Sequence, residues 1–145
     1  MRADRKKEHI ENFLRTSHMG NTLFDDVYLE HNALPELNID EIDLSQQFLF
    51  KTIGYPVMIN AMTGGGEFAE EINGQLAEIA AKYKIPMAVG SQTIAFEKGE
   101  PAEKSFRIVR ERIQEGVVIG NVGGEVTPEY ARRAVEMLQA DALQI

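Results

Sequence analysis

Four short stretches of the sequence carry side chains suited to chemistry on a small anionic ligand. Arg5, Lys6 and His9 stand at i, i+1 and i+4, so on a helix they share one face. Arginine offers a forked contact to a diphosphate, lysine a point charge, and histidine a further donor or a proton carrier. The same residues also suit a plain solvated basic N-terminus. Thr63-Gly64-Gly65-Gly66 follows an apolar run and precedes a helical pattern. Glycines there let a backbone approach a ligand closely, and the helix N-terminus that follows favours an anion. Neither a P-loop lysine nor a GxGxxG spacing is present, and a flexible β-α turn would use the same residues. Ser91-Gln92 and Asn121 are polar residues directly after two further apolar runs. Each alone suits a turn or cap, but together they place hydrogen-bonding groups on successive strand ends.

The elements that must position these residues are legible from periodicity. Residues 4–15 read as a helix with Asp4 as N-cap, on which Ile10, Phe13 and Leu14 could dock against a body. Residues 16–54 read as an irregular arm, with enough alternation in "DEIDLSQQFLFKTI" for a hairpin that closes over something. Apolar runs then begin near residues 56, 86, 116 and 142. Helical patterns separate them: "EFAEEINGQLAEIAAKY" with Phe68, Ile72, Leu76, Ile79, Ala80 and Tyr83 as its stripe, and "EPAEKSFRIVRERIQ" with Phe106, Val109 and Ile113. The third, "PEYARRAVEMLQ", is capped by Thr127 with Pro128 at its first position and buries Tyr130, Ala134, Met137 and Leu138.

A β-α unit roughly every 30 residues is the size of a βαβ step, and strands apolar throughout are buried on both faces, as in parallel sheets. Two α/β architectures fit, a doubly wound sheet and a (β/α)8 barrel, and both place their chemistry at the strand C-termini. The fourth run reaches Ile145 inside a strand pattern. Only about three and a half units are present, against about 250 residues for a whole barrel. The expectation is therefore an incomplete barrel: residues 1–55 as a helix and an arm or lid over the active site, and residues 56–145 as the first βα units. An open parallel edge of this kind also predicts self-association.

Composition narrows the classes. A formal charge of −8 argues against general nucleic-acid binding, which needs a basic surface. No apolar run approaches the roughly 20 residues that span a bilayer, and no signal-type segment follows the basic start. Without cysteine there is no disulfide framework, thiol chemistry or thiolate metal site, and a cytoplasmic setting is expected. His18 and His31 have no partner at metal-ligand spacing, and the acidic pairs read as solvated faces.

Taken together, "RKKEHI", "INAMTGGG", "VGSQ", "GNVGGE" and "DALQI" resemble, in order and spacing, the type 2 isopentenyl-diphosphate isomerases, over essentially the whole chain. The resemblance implies a (β/α)8 barrel with FMN at the strand C-termini, Mg2+, and NADPH as the usual reductant. It implies interconversion of isopentenyl and dimethylallyl diphosphate, with the reduced flavin as acid and base. Carried over by position, Arg5 and Lys6 would hold the substrate diphosphate beside His9, and Gln92 would lie near the substrate. Ala61, Met62, Thr63, Ser91 and Asn121 would contact FMN. The family's catalytic glutamine and its Mg2+-binding glutamate follow the fourth strand, so no catalytic residue or metal ligand is expected within these 145 residues. Another FMN-dependent barrel oxidoreductase is the alternative enzyme, though the Arg-Lys-x-x-His helix favours a diphosphate substrate. A non-enzymatic, self-associating half-barrel is the alternative outside enzymes.

Overall fold

The structure, a computed structural model, describes residues 2–17 and 20–145, with side chains from residue 8. Its body is a parallel sheet that grows in chain order. Strand β3 (Met87–Ala88) pairs with β4 (Val118–Asn121), and β4 pairs with β5 (Ala142–Gln144), all parallel. Ahead of them, Ile59 makes a single parallel bridge to Met87. The run 56–62 therefore supplies only an edge contact, with Val57 and Met58 exposed, instead of the buried strand that its apolar character suggests. An edge segment has one neighbour, so half its backbone groups find no ladder.

Each step between strands crosses through helix: α2 (Glu67–Tyr83), then α3 (Thr93–Lys98) with α4 (Glu100–Ile113), then α5 (Pro128–Leu138). Helix α2 packs on α4 and α4 on α5, so the helices share one face of the sheet. A doubly wound sheet reverses its strand order and puts helices on both faces; no such reversal occurs among these strands. The fold is thus mixed α/β with a chain-order parallel sheet.

The core follows from strand alternation. Met87 and Val118 face the helices and meet Ala77, Ala80, Phe106, Val109, Ile113 and Leu138. Ala88 and Ile119 face the other side, with Val117, Ile53, Phe48 and Ala142. Helix α2 departs from the expected stripe. It buries Ala69, Asn73, Ala77 and Ala80, while Phe68, Ile79 and Tyr83 stay more than two-fifths exposed. Small residues on the buried face are what permit a close approach to α4.

Thr127 caps α5 as expected, its Oγ1 accepting from Tyr130 N. Helix α3 escaped the sequence reading. It is one short turn and a half, closed by Gly99 at φ 70°.

Residues 1–55 contribute helix α1 (Arg2–Arg15), two isolated 3-10 turns, and a hairpin of β1 (Gln46–Phe48) and β2 (Lys51–Ile53). Asp4 lies within the first turn of α1, which begins at Arg2. Phe13 and Leu14 are 70% and 77% exposed, so they do not dock the helix; Ile10 is half-buried. The hairpin forms where alternation suggested, and it closes over the N-terminal ends of the strands. Gly54 N donates to Lys84 O at 2.8 Å, and Lys51 Nζ reaches Gly116 O at 3.3 Å. Lys84, Gly116 and Asp141 each stand just ahead of a strand. Among the described residues no helix is long and apolar enough to cross a membrane.

Asp141 ties this end together. Its carboxylate meets Lys51 Nζ at 2.6 Å and Arg110 Nη2 at 2.9 Å, and accepts from Val118 N at 2.9 Å. Arg110 also donates to the carbonyls of Leu138, Gly116 and Gln139. Burial opposes charging Asp141, but the hydrogen bonds from Lys51, Val118 and Arg110 outweigh it and hold its carboxyl below the ordinary carboxylate range. A depressed value means that this stabilisation is present above the unfolded pKa, near 3.8, and is lost as pH falls through the folded one. Asp141 and Arg110 side chains are only 17% and 14% exposed. Asp141→Asn is expected to cost on the order of 3 kcal/mol in urea denaturation at neutral pH, the gap from the native chain closing in acid. Equal stability at neutral pH would remove the cluster from its role.

Candidate functional site

The opposite, C-terminal end of the sheet opens into a cavity of about 1130 Å³. Pairing sets its frame, because parallel register places Asn121 opposite Gln144 at the ends of β4 and β5. Asn60, Ala61 and Met62 follow the Ile59 bridge, and Gly90 and Ser91 follow β3. All of these line the cavity, together with His9 from α1. Six calls are thereby located: Ala61, Met62, Ser91, Asn121 and His9 meet at one cavity, while Thr63 stands just behind it, buried to 3% exposure. Arg5 and Lys6 sit on α1 one turn ahead of His9, and their side chains lie outside the described residues, as does His18. His31 is an exposed arm residue away from the cavity lining.

Local hydrogen bonds explain the rim. Asn60 Oδ1 accepts from Ala61 N at 2.8 Å, turning the chain out of the edge segment. Ser91 Oγ and Thr93 Oγ1 lie 3.0 Å apart at the start of α3. Gly90 N donates to Thr63 O at 3.0 Å. A Cβ at Gly90 would lie 2.8 Å from the backbone of Met62 and Thr63, so only glycine admits the first loop here.

The glycine run itself is used differently from the ligand cradle that its composition suggests. A Cβ on Gly64 would fall 2.1 Å from the Phe106 ring, and one on Gly65 would fall 2.6 Å from Ile94. Gly65 also holds φ 101°. Its N–H donates to Ser105 Oγ at 2.7 Å, and Asn73 Nδ2 bridges Thr63 O and Ser105 O at 3.3 and 2.7 Å. The bare backbone seats the loop on α4, and neither Gly64 nor Gly65 lines the cavity.

Gln92, expected near the substrate, lies behind the residues that line the cavity. It is fully buried and absent from the cavity wall, with its amide engaged by Asn121 N and Ala134 O. Thr63 Oγ1 is buried and finds no hydrogen-bond partner, an uncommon state for a hydroxyl.

The structure adds residues that the sequence reading did not select. Phe96 and Tyr130 stack with centroids 4.8 Å apart, and Arg133 lies 5.0 Å from the Phe96 ring. Both rings line the cavity, and Tyr130 is 40% exposed where its helical stripe suggested burial. Phe96 was hidden by the unrecognised α3. Gln144, Gly123, Gly124 and Thr127 complete a wall whose signal was their place directly at or after a strand end. Glu97 and Glu125 make part of the lining acidic. Among the described residues no three His, Cys, Asp or Glu side chains gather as a metal cage.

No family model matches the chain. Among curated proteins it is similar to an isopentenyl-diphosphate delta-isomerase of Bacillus licheniformis, with 46% identity over 99% of this chain and 41% of that protein. It is similar also to isopentenyl-diphosphate delta-isomerases of Staphylococcus aureus strains Mu3 and N315, each 42% identical over 99% of this chain and 41% of the relative. The chain thus spans about two-fifths of the length of the curated relatives it matches.

The packing of the glycine run is directly testable. Gly64→Ala is expected to destabilise the fold by about 1–3 kcal/mol through overpacking on Phe106. Gly66→Ala, whose added Cβ meets nothing within 4 Å, is expected to change little. Thermal or urea unfolding of the pair checks this, and equal effects would contradict the assigned packing.

Proposed function

We propose that this chain is the N-terminal part of a type 2, FMN-dependent isopentenyl-diphosphate delta-isomerase, acting in isoprenoid synthesis in the cytoplasm. Its parallel strands are then the first of a (β/α)8 barrel. One observation carries the reading. Ala61, Met62, Ser91 and Asn121 come together on one cavity at the C-terminal ends of chain-order parallel strands, in a chain similar to isomerases along 99% of its length.

The residues present fit a flavin. The cavity exceeds the roughly 300–1,000 Å³ typical of small-molecule sites, and it mixes apolar walls with a few convergent polar groups. Ala61 and Met62 offer backbone groups, while Ser91 and Asn121 offer hydroxyl and amide contacts. The buried Thr63 hydroxyl, next in sequence to Met62, is satisfied by no other group of the fold. When bound and reduced, FMN would supply the acid and base that move a proton between the allylic carbons, with NADPH as reductant.

The chain's own part is to bind and orient. Arg5 and Lys6 hold the diphosphate from α1, and His9 stands beside them at the cavity edge. Since Glu97 and Glu125 make part of the lining acidic, the diphosphate is drawn to the α1 side. The described residues do not form a cage for Mg2+.

An FMN titration followed by flavin fluorescence tests this. The expected result is saturable but weak quenching, reduced about tenfold or more by Ser91→Ala with Asn121→Ala, since a lost buried hydrogen bond is worth about 1 kcal/mol each. Absence of saturation would end the flavin reading for this chain.

A second reading, self-association with another copy, is favoured by the open sheet edge at the run 56–62. Val57 and Met58 are 59% and 41% exposed there. Light scattering after size exclusion is expected to give a mass of at least twice 16.2 kDa; a clean monomer would dismiss it.

A further inference from the structure

Two of the cavity-lining residues flank one buried side chain that does not touch the cavity. Gln92 follows Ser91 directly, and it is 0% exposed. Its backbone N–H donates to Asn121 O at 2.8 Å, and its side-chain Oε1 accepts from Asn121 N at 3.0 Å. The other end of the amide, Nε2, donates to Ala134 O of α5 at 2.9 Å and lies 3.6 Å from Met137 Sδ. One residue thus grips both backbone groups of Asn121, its main chain holding the carbonyl and its side chain the N–H, and the side-chain amide anchors that grip on the helix that follows.

The surroundings are shaped to admit it. A Cβ on Gly120 would sit 2.8 Å from Gln92 Oε1, so a side chain there would push the Gln92 amide out of this position. A long polar side chain is rarely fully buried, and here both ends of its amide are satisfied. An apolar residue of the same length would leave Asn121 N without its partner in the interior.

We propose that Gln92 is the positioning residue of the site: it sets the spacing of Ser91 and Asn121 across two strand ends, and it acts on ligand only through them. This rests on the flavin reading above for its ligand, and on geometry alone for the clamp.

The test uses the whole chain with Gln92→Met and Gln92→Glu, FMN as the probe, and the backbone amide NMR signals of Ser91 and Asn121 with the side-chain amide signals of Asn121. Gln92→Met is expected to weaken FMN about tenfold per folded molecule and to shift the Asn121 amide signals, while Asp141 and its cluster keep theirs. Gln92→Glu should restore both when its carboxyl is protonated, because the acid then donates to Ala134 O and accepts from Asn121 N. It should lose both as the pH rises through the range into which burial moves a glutamate. The groups against the Gln92 amide, Gly120, Asn121, Ala134 and Met137, carry no titratable side chain.

A merely structural residue would lower the thermal midpoint without changing FMN affinity per folded molecule, and its glutamate variant would show no pH-reversible recovery at Asn121. Either result overturns the proposal. If the native chain itself gives no FMN saturation, the flavin reading falls. The clamp is then decided by the Ser91 and Asn121 signals, which must move in Gln92→Met and return with protonation in Gln92→Glu. If Gln92→Met does not fold, the pH response of Gln92→Glu decides alone.

Discussion

The parallel register of β3, β4 and β5 is the constraint from which the rest of the molecule follows. Parallel strands joined by crossovers put every strand start at one end and every strand finish at the other. Asn121 and Gln144 become neighbours at one end for the same reason that Gly116 and Asp141 become neighbours at the other. The two ends then diverge in chemistry. The finishing end presents amides, a hydroxyl and bare backbone to a cavity. The starting end is closed by a charged cluster and a hairpin.

That division sets the ionic cluster at the end away from the cavity. Arg110 spends its guanidinium on the carbonyls of Leu138, Gly116 and Gln139 and on Asp141, all on the side away from the cavity. The cavity end has no comparable ion-pair cluster among the described residues. Its frame is held by neutral hydrogen bonds, from Asn73 and Ser105 to the first loop and from Gln92 to the third strand end. Neutral buried bonds of this kind position a backbone without adding a fixed charge.

Bare backbone and buried amides play paired roles at this end. Gly64 admits the Phe106 ring, Gly90 admits the first loop, and Gly120 admits the Gln92 carbonyl. In each case the missing Cβ makes room for the protein's own atoms, and after Gly90 and Gly120 the residues next in line, Ser91 and Asn121, line the cavity. The stacked Phe96–Tyr130 pair also lines the cavity, with Arg133 laid against both rings.

Much of this was readable without coordinates. The periodic spacing of "GQLAEIAAKY", the Thr127-Pro128 start and the regular return of apolar runs dictated helices, strands and their order, because those signals are local. They also placed Ala61, Met62, Ser91 and Asn121 after strand ends. Tertiary packing decided what local signals cannot carry. It turned the face of α2 so that alanines meet α4 while Phe68 and Tyr83 stay half-exposed, and it reduced the run 56–62 to an edge contact. It also gave Gly64 to Phe106 and took Gln92 into the interior. Whether a strand-end amide faces a cavity or its own backbone depends on partners some 30 to 40 residues away, such as Asn121 and Ala134 for Gln92, and only folding brings them within 3 Å.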